Sequence, residues 1–204
     1  FITGIDIFFH DNFVNLMSVL KSAVAKYGRP QMFNFDNGSS YKNKQMELLA
    51  ARIGSVVHYD QPYTPTQKAK IERWFRTMKD QWMSALDIRE FHSLEELRGN
   101  LLAYVQKYNH SPHSSLKGKA PHERFFSEPE CIRRLTDKEL EDSFLLEIER
   151  RVSADSVVVI DHVEYEVDCR FAKQRIRLRY SPDLTSIFIV EQDGTLTPIR
   201  LLNK

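Results

Sequence analysis

Asp36 and Glu72 are the residues whose type and setting could do chemistry. Asp36 ends a short apolar run and precedes Asn37-Gly38, Glu72 stands early in a long helical pattern after Pro62 and Pro65, and thirty-five residues separate them. A strand end and the first turn of a helix can converge in an α/β layer, where two carboxylates chelate a hard divalent cation through oxygen. Paired cations of that kind drive phosphoryl transfer by activating the attacking oxygen and stabilising the leaving one. The plainer alternative is that Asp36 is a turn residue and Glu72 complements the helix dipole. The neighbours of Glu72 favour chemistry. Within 67–82, Lys68, Lys70, Arg73, Arg76 and Lys79 outnumber the acids Glu72 and Asp80. At about 100° per residue, Lys68, Glu72, Arg76 and Lys79 share one face. A carboxylate among cations suits phosphodiester chemistry, since the acid can hold metal while Lys and Arg hold phosphates. A solvated helix with i,i+4 ion pairs remains the alternative.

The elements that must position these residues follow from periodicity. Residues 1–9 are aromatic and β-branched and read as a strand already under way, as though the chain begins inside a domain. Residues 13–27 carry apolar side chains at helical spacing before Gly28-Arg29-Pro30. A short strand over 31–35, a helix over 44–53 closed by Gly54 and a strand over 55–59 come next. This alternation predicts an α/β layer. A helix over 67–84 presents an apolar stripe of Ile71, Phe75, Met78 and Trp82, with Trp74 at its margin. Ser93 and Glu96 have capping-box spacing at the head of a helix reaching Tyr108, a Pro- and Ser-rich loop follows, and 137–146 looks helical and charged. From Ser156 the pattern switches to four or five short strands, with a turn at Asp193-Gly194, which suits a small barrel.

The chain has 204 residues, 42% apolar and 28% charged, with 29 basic and 28 acidic side chains for a formal charge of +1. That bulk charge announces no nucleic-acid or membrane partner, so any such partner must be read from local clusters. No apolar run approaches the ~18 residues of a membrane span, and no secretory leader pattern is present; the expected location is the cytoplasm. Cys131 and Cys169 stand far apart, which argues for free thiols rather than a disulfide scaffold or a cysteine-rich zinc site. The seven histidines are dispersed. His110 and His113 sit in a Ser-Pro loop without cysteine partners and read as packing or surface residues. Tyr63 could meet DNA from its proline-flanked loop or simply pack in a turn. Arg175, Arg177 and Arg179 fall on one strand face by alternation, where they serve DNA contact or protection of an edge strand.

Phe35-Asp36-Asn37-Gly38, the thirty-five-residue gap and the run from Pro62-Tyr63-Thr64-Pro65 to Ile71-Glu72-Arg73-Trp74-Phe75-Arg76-Thr77 resemble the D,D-35-E transposases and retroviral-type integrases. Tyr108-Asn109, Pro112-His113, Leu116, Gly118, Pro121 and Glu123-Arg124-Phe125 are similar to the segment after the catalytic core in bacterial insertion-sequence enzymes, and the β-rich end to the small C-terminal barrel of the Mu type. The resemblance implies a ribonuclease H-like mixed sheet flanked by helices over 1–125, a helical linker over 126–150 and a small all-β barrel over 151–204. It implies two Mg²⁺ or Mn²⁺ ions, with Asp36 as the second and Glu72 as the third of three catalytic acids, and no organic cofactor. Asp6 and Asp11 are the only acids before Asp36, and neither occupies the place of the family's first acid. The expectation is therefore a core that lacks its first strands and is impaired as it stands. The implied activity is metal-dependent DNA strand cleavage and transfer. Its implied partners are the double-stranded element ends and target, with Lys68, Lys70, Arg73, Arg76, Lys79, Tyr63, Arg175, Arg177 and Arg179 as contacts, and a second copy of the chain. A non-catalytic DNA-binding or assembly module derived from such an enzyme is the alternative.

Overall fold

Helix α1, Phe13–Tyr27, runs between two local signals: the Asn12 side chain accepts the Asn15 N–H at 2.8 Å, and Gly28 closes the other end. The structure, a computed structural model, describes residues 1–38, 41–60 and 65–202, without the side chains of 65–68. Strand β1, Met32–Phe35, and strand β2, Val56–Tyr59, pair in parallel with Phe35 opposite Tyr59. Between them helix α2, Lys44–Ile53, buries Met46, Leu49, Ala50 and Ile53, an i, i+3, i+4, i+7 stripe. It stops at Gly54, whose φ of 68° is the left-handed conformation glycine adopts freely. A helix thus connects two parallel strands, as a parallel crossover requires.

Residues 1–9 form no strand. A strand is defined by ladder hydrogen bonds, and here side chains hold the backbone instead. Asn109 accepts the Ile2 N–H at 2.8 Å and donates to the Ile2 carbonyl at 3.0 Å, while Arg98 Nη2 donates to the Ile7 carbonyl at 2.8 Å. Helix α3, Pro65–Gln81, and helix α4, Leu94–His110, complete this layer. Trp74, Leu101 and Val105 form its buried cluster, onto which Ile2, Ile5, Ile7, Met78 and Trp82 pack. The capping signal before α4 is realised with a shift: Ser93 Oγ accepts the Glu96 N–H, and the Glu96 carboxylate accepts the N–H of His92. Helix α5, Pro121–Phe125, follows.

The chain divides into two compact units, 1–140 and 141–204. Helix α6, Asp137–Ser143, ends sooner than its charge pattern suggests, and 146–151, expected to begin in helix, is strand β3, Leu146–Arg151. The second unit is all-β. β3, β6 (Arg175–Tyr180), β7 (Ile187–Val190) and β8 (Leu196–Pro198) make one antiparallel sheet in the order β3-β6-β7-β8. β4 (Val157–Ile160), β5 (Val163–Glu166) and β9 (Arg200–Leu201) make another. The expected closed barrel is therefore two separate sheets among the described residues, with more strands than composition suggests. One core of Val152, Val158, Ile160, Tyr165, Val167, Ile176, Leu178, Ile187 and Ile189 serves this unit.

Candidate functional site

The parallel pair β1–β2 places Asp36 and Asp60 one step beyond its two C-terminal ends, the side on which open α/β sheets gather their ligands. The Asp36-Asn37-Gly38 sequence is explained group by group. Gly38 donates its N–H to Asp36 Oδ1 at 2.9 Å, and a Cβ at Gly38 would lie 2.8 Å from that same oxygen, so a larger residue would push the carboxylate out of this position. Asn37 Nδ2 donates to the Asp60 carbonyl at 2.8 Å and ties the two strand ends together. Tyr41 stacks on Phe35 with ring centroids 4.8 Å apart, and Tyr59 donates its hydroxyl to the Tyr41 carbonyl at 3.2 Å. Burial first, then the charges of Asp36 and Asp11, push the Tyr41 phenol above its usual value. Tyr41 is thus a neutral hydroxyl facing a negative patch.

Glu72 is exposed on α3, and so are Lys70, Arg73, Arg76 and Lys79. Among the described residues none of these four cations is ion-paired, so i,i+4 pairs are not realised at these positions. Unpaired cations beside an exposed carboxylate make a surface for anions. The side chain of Lys68, and Tyr63 as a whole, lie outside the described residues.

The apolar side of α3 is rotated relative to the expected stripe. Trp74, read as marginal, is the buried residue at 8% exposure, whereas Ile71 and Phe75 stand half-exposed at 49% and 51%. They line a cleft of about 670 Å³ with Tyr41, His10, Asp11 and Phe8. Trp82 packs beside Tyr104 at 6.3 Å and donates its indole N–H to Asn100 at 2.7 Å, which makes it a structural residue.

In the second unit the alternation of β6 is as expected, with Arg175 and Arg177 exposed. Its position is different: β6 lies between β3 and β7, so its arginines protect no edge. The register sets Glu147 opposite Arg179 and Glu149 opposite Arg177. Arg179 Nε meets Glu147 at 3.1 Å with the two side chains only 23% and 8% exposed, so this arginine is committed to an internal pair. Sequence reading misses this pairing because both glutamates fall within the expected linker.

Cys131 and Cys169 are free and exposed, and His110 stacks on His122 at 4.5 Å. No group of three His, Cys, Asp or Glu side chains able to hold one ion occurs among the described residues. The oxygen-only chemistry of Asp36 and Glu72 still fits a hard divalent cation, for which one or two carboxylates plus substrate phosphates are the usual protein-side complement.

Residues 54–121 match the family described as Integrase core domain, and residues 3–87 match the TnsB C-terminal domain. Asp36 falls in the second span and Glu72 in both. Over these spans the chain is similar to transposase and integrase domains. It is 26% identical over 143 residues to the transposase for transposon Tn552 of Staphylococcus aureus, an alignment covering 64% of this chain but only 29% of that protein. A chain of the simian T-cell lymphotropic virus intasome, solved by cryoEM in complex with PP2A regulatory subunit B56 gamma, aligns over 94% of this chain and 63% of its own length, with 16% identity and a TM-score of 0.44. No helix among the described residues is long and apolar enough to cross a membrane.

Proposed function

We propose that this chain carries part of the active surface of a metal-dependent polynucleotidyl transferase that cleaves DNA strands and joins a freed 3′-hydroxyl to target DNA. The observation that supports the reading most is the pairing of two features: a carboxylate oriented at the end of a parallel strand by a glycine turn, and an exposed carboxylate on a helix whose described cations have no ion partners. Asp36 and Glu72 would hold Mg²⁺ or Mn²⁺, two ions in the complete site. When bound, these ions supply the Lewis acidity that in-line displacement at phosphorus needs. Lys70, Arg73, Arg76 and Lys79, with Lys68, grip phosphates and so set register without reading bases. Arg175 and Arg177 of the β unit add a second phosphate-binding strip; Arg179 contributes less because Glu147 already neutralises it. Tyr63 contacts DNA as well. The layer up to residue 125 is read as a ribonuclease H-like core and 151–204 as its DNA-binding appendage, with 126–150 as linker. The site of action is bacterial DNA in the cytoplasm, and work on two DNA ends calls for at least a dimer.

Strand joining by the full-length protein with Mn²⁺ and end-labelled duplex DNA tests this reading. Asp36→Asn and Glu72→Gln each reduce joining by about 10²-fold or more, the scale of losing one charge-stabilising group, while DNA binding persists. Undiminished joining by either variant overturns the assignment. The second reading, a DNA-binding or assembly module without strand transfer, rests on the lack of a three-group cluster among the described residues; it predicts DNA binding with no metal-dependent joining.

A further inference from the structure

The strand ends hold a second carboxylate that the D,D-35-E pattern does not include. Asp60 follows β2 as Asp36 follows β1, and the parallel register continues one step past the strands: the Asp60 N–H donates to the Phe35 carbonyl at 2.9 Å. In-register residues of parallel neighbours stand on the same face, about 4.8 Å apart. The Asp60 backbone is fully employed, since its carbonyl accepts Asn37 Nδ2. Its side chain is not. The residue is 6% exposed, and Oδ1 is buried with no hydrogen-bond partner. No described cation pairs with it. A carboxylate oxygen taken from water without a replacement carries a heavy desolvation cost, and native structures offset it with a hydrogen bond, a proton or a cation.

We propose that Asp60 is an oxygen ligand, beside Asp36, for the divalent cation of this site. The proposal rests on the metal-dependent reading given above. It gives the orphaned oxygen its partner, and it accounts for a site without a three-group cluster, because two carboxylates and a substrate phosphate suffice for Mg²⁺. Asn37 then has a definite role, since by binding the Asp60 carbonyl it holds the two ligand-bearing strand ends at a fixed spacing.

Mn²⁺ titration of the whole chain, read by electron paramagnetic resonance of the free ion, tests this directly. Asp60→Asn weakens Mn²⁺ binding by about tenfold or more, at least the loss seen for groups that merely support a ligand, and Asp60→Glu recovers part of it. The metal-free melting temperature of Asp60→Asn equals or exceeds that of the parent, because burying an amide costs less than burying a carboxylate oxygen that has no partner. Wild-type affinity in Asp60→Asn, or an Asp60→Glu variant no better than Asp60→Asn, overturns the proposal. If Asp36→Asn and Glu72→Gln also bind Mn²⁺ like the parent, the metal-site reading itself fails; if they lose binding while Asp60→Asn does not, only the role of Asp60 fails.

Discussion

Replacing Asn109 by alanine tests whether the first residues are held as the structure shows. Asn109 is 5% exposed and makes two hydrogen bonds to a single residue, accepting from Ile2 N–H at 2.8 Å and donating to Ile2 carbonyl at 3.0 Å. Each bond is worth about 1 kcal/mol net, and a group left unsatisfied adds up to ~1–3 kcal/mol. Ile2 is only partly buried, so water recovers some of that, and the expected loss is about 2–3 kcal/mol. Against a total of roughly 5–15 kcal/mol for a domain, this is a large fraction. The assay is urea unfolding followed by tryptophan emission. Both tryptophans lie in the first unit, and Trp74 sits in the cluster onto which Ile2 packs, so the signal reports this layer and not the β unit. A carboxylate in place of the amide would keep the acceptor, lose the donor and set a charge against the Ile2 carbonyl, so Asn109→Asp is at least as damaging as Asn109→Ala. A loss below about 0.5 kcal/mol, the range of ordinary surface substitutions, would falsify the clamp.

Two further predictions concern the β unit. Asp161 and His162 have φ of 47° and 66° in the two-residue connection between β4 and β5, a turn that favours glycine at its second position. His162→Gly therefore raises stability by about 0.5–1 kcal/mol, read as a higher melting temperature; a lower one contradicts the turn geometry. Asp183 accepts from the Ser181 and Thr185 hydroxyls and the Thr185 N–H, which lowers its carboxyl from 3.8 to about 2. The folded value lies below the unfolded one, so the stabilisation is complete above about pH 4 and drains away as pH falls through 2. An NMR titration of the Asp183 carboxyl should give a midpoint near 2, and a midpoint at the ordinary value refutes the cause.

Local signals carried the helices. The bounds of α1 and α2 follow from Asn12, Gly28 and Gly54 because caps and stops act within a few residues of the chain. Long-range pairing was not legible in the same way. Residues 1–9 have strand composition, yet composition supplies no neighbour to bond with, and Asn109 and Arg98 fill that role from a helix about a hundred positions away. The charged run Glu147-Ile148-Glu149-Arg150-Arg151 alternates weakly, and its pairing with β6, which sets Glu147 and Glu149 opposite Arg179 and Arg177, is not written in the run itself.

The site divides along the same line. The turn at Asp36-Asn37-Gly38 was legible because residue type and turn chemistry constrain it locally. The phase of α3 was not, since Ile71, Trp74, Phe75 and Met78 leave two adjacent stripes of comparable hydrophobicity, and the choice of Trp74 as the buried one belongs to Leu101 and Val105 of α4. With Trp74 inward, Glu72, Arg73, Phe75 and Arg76 are all left exposed. Asp60 was illegible for a related reason. An aspartate ahead of Gln61-Pro62 reads as turn chemistry, and only the strand register shows it to be the neighbour of Asp36, with one oxygen buried and unanswered.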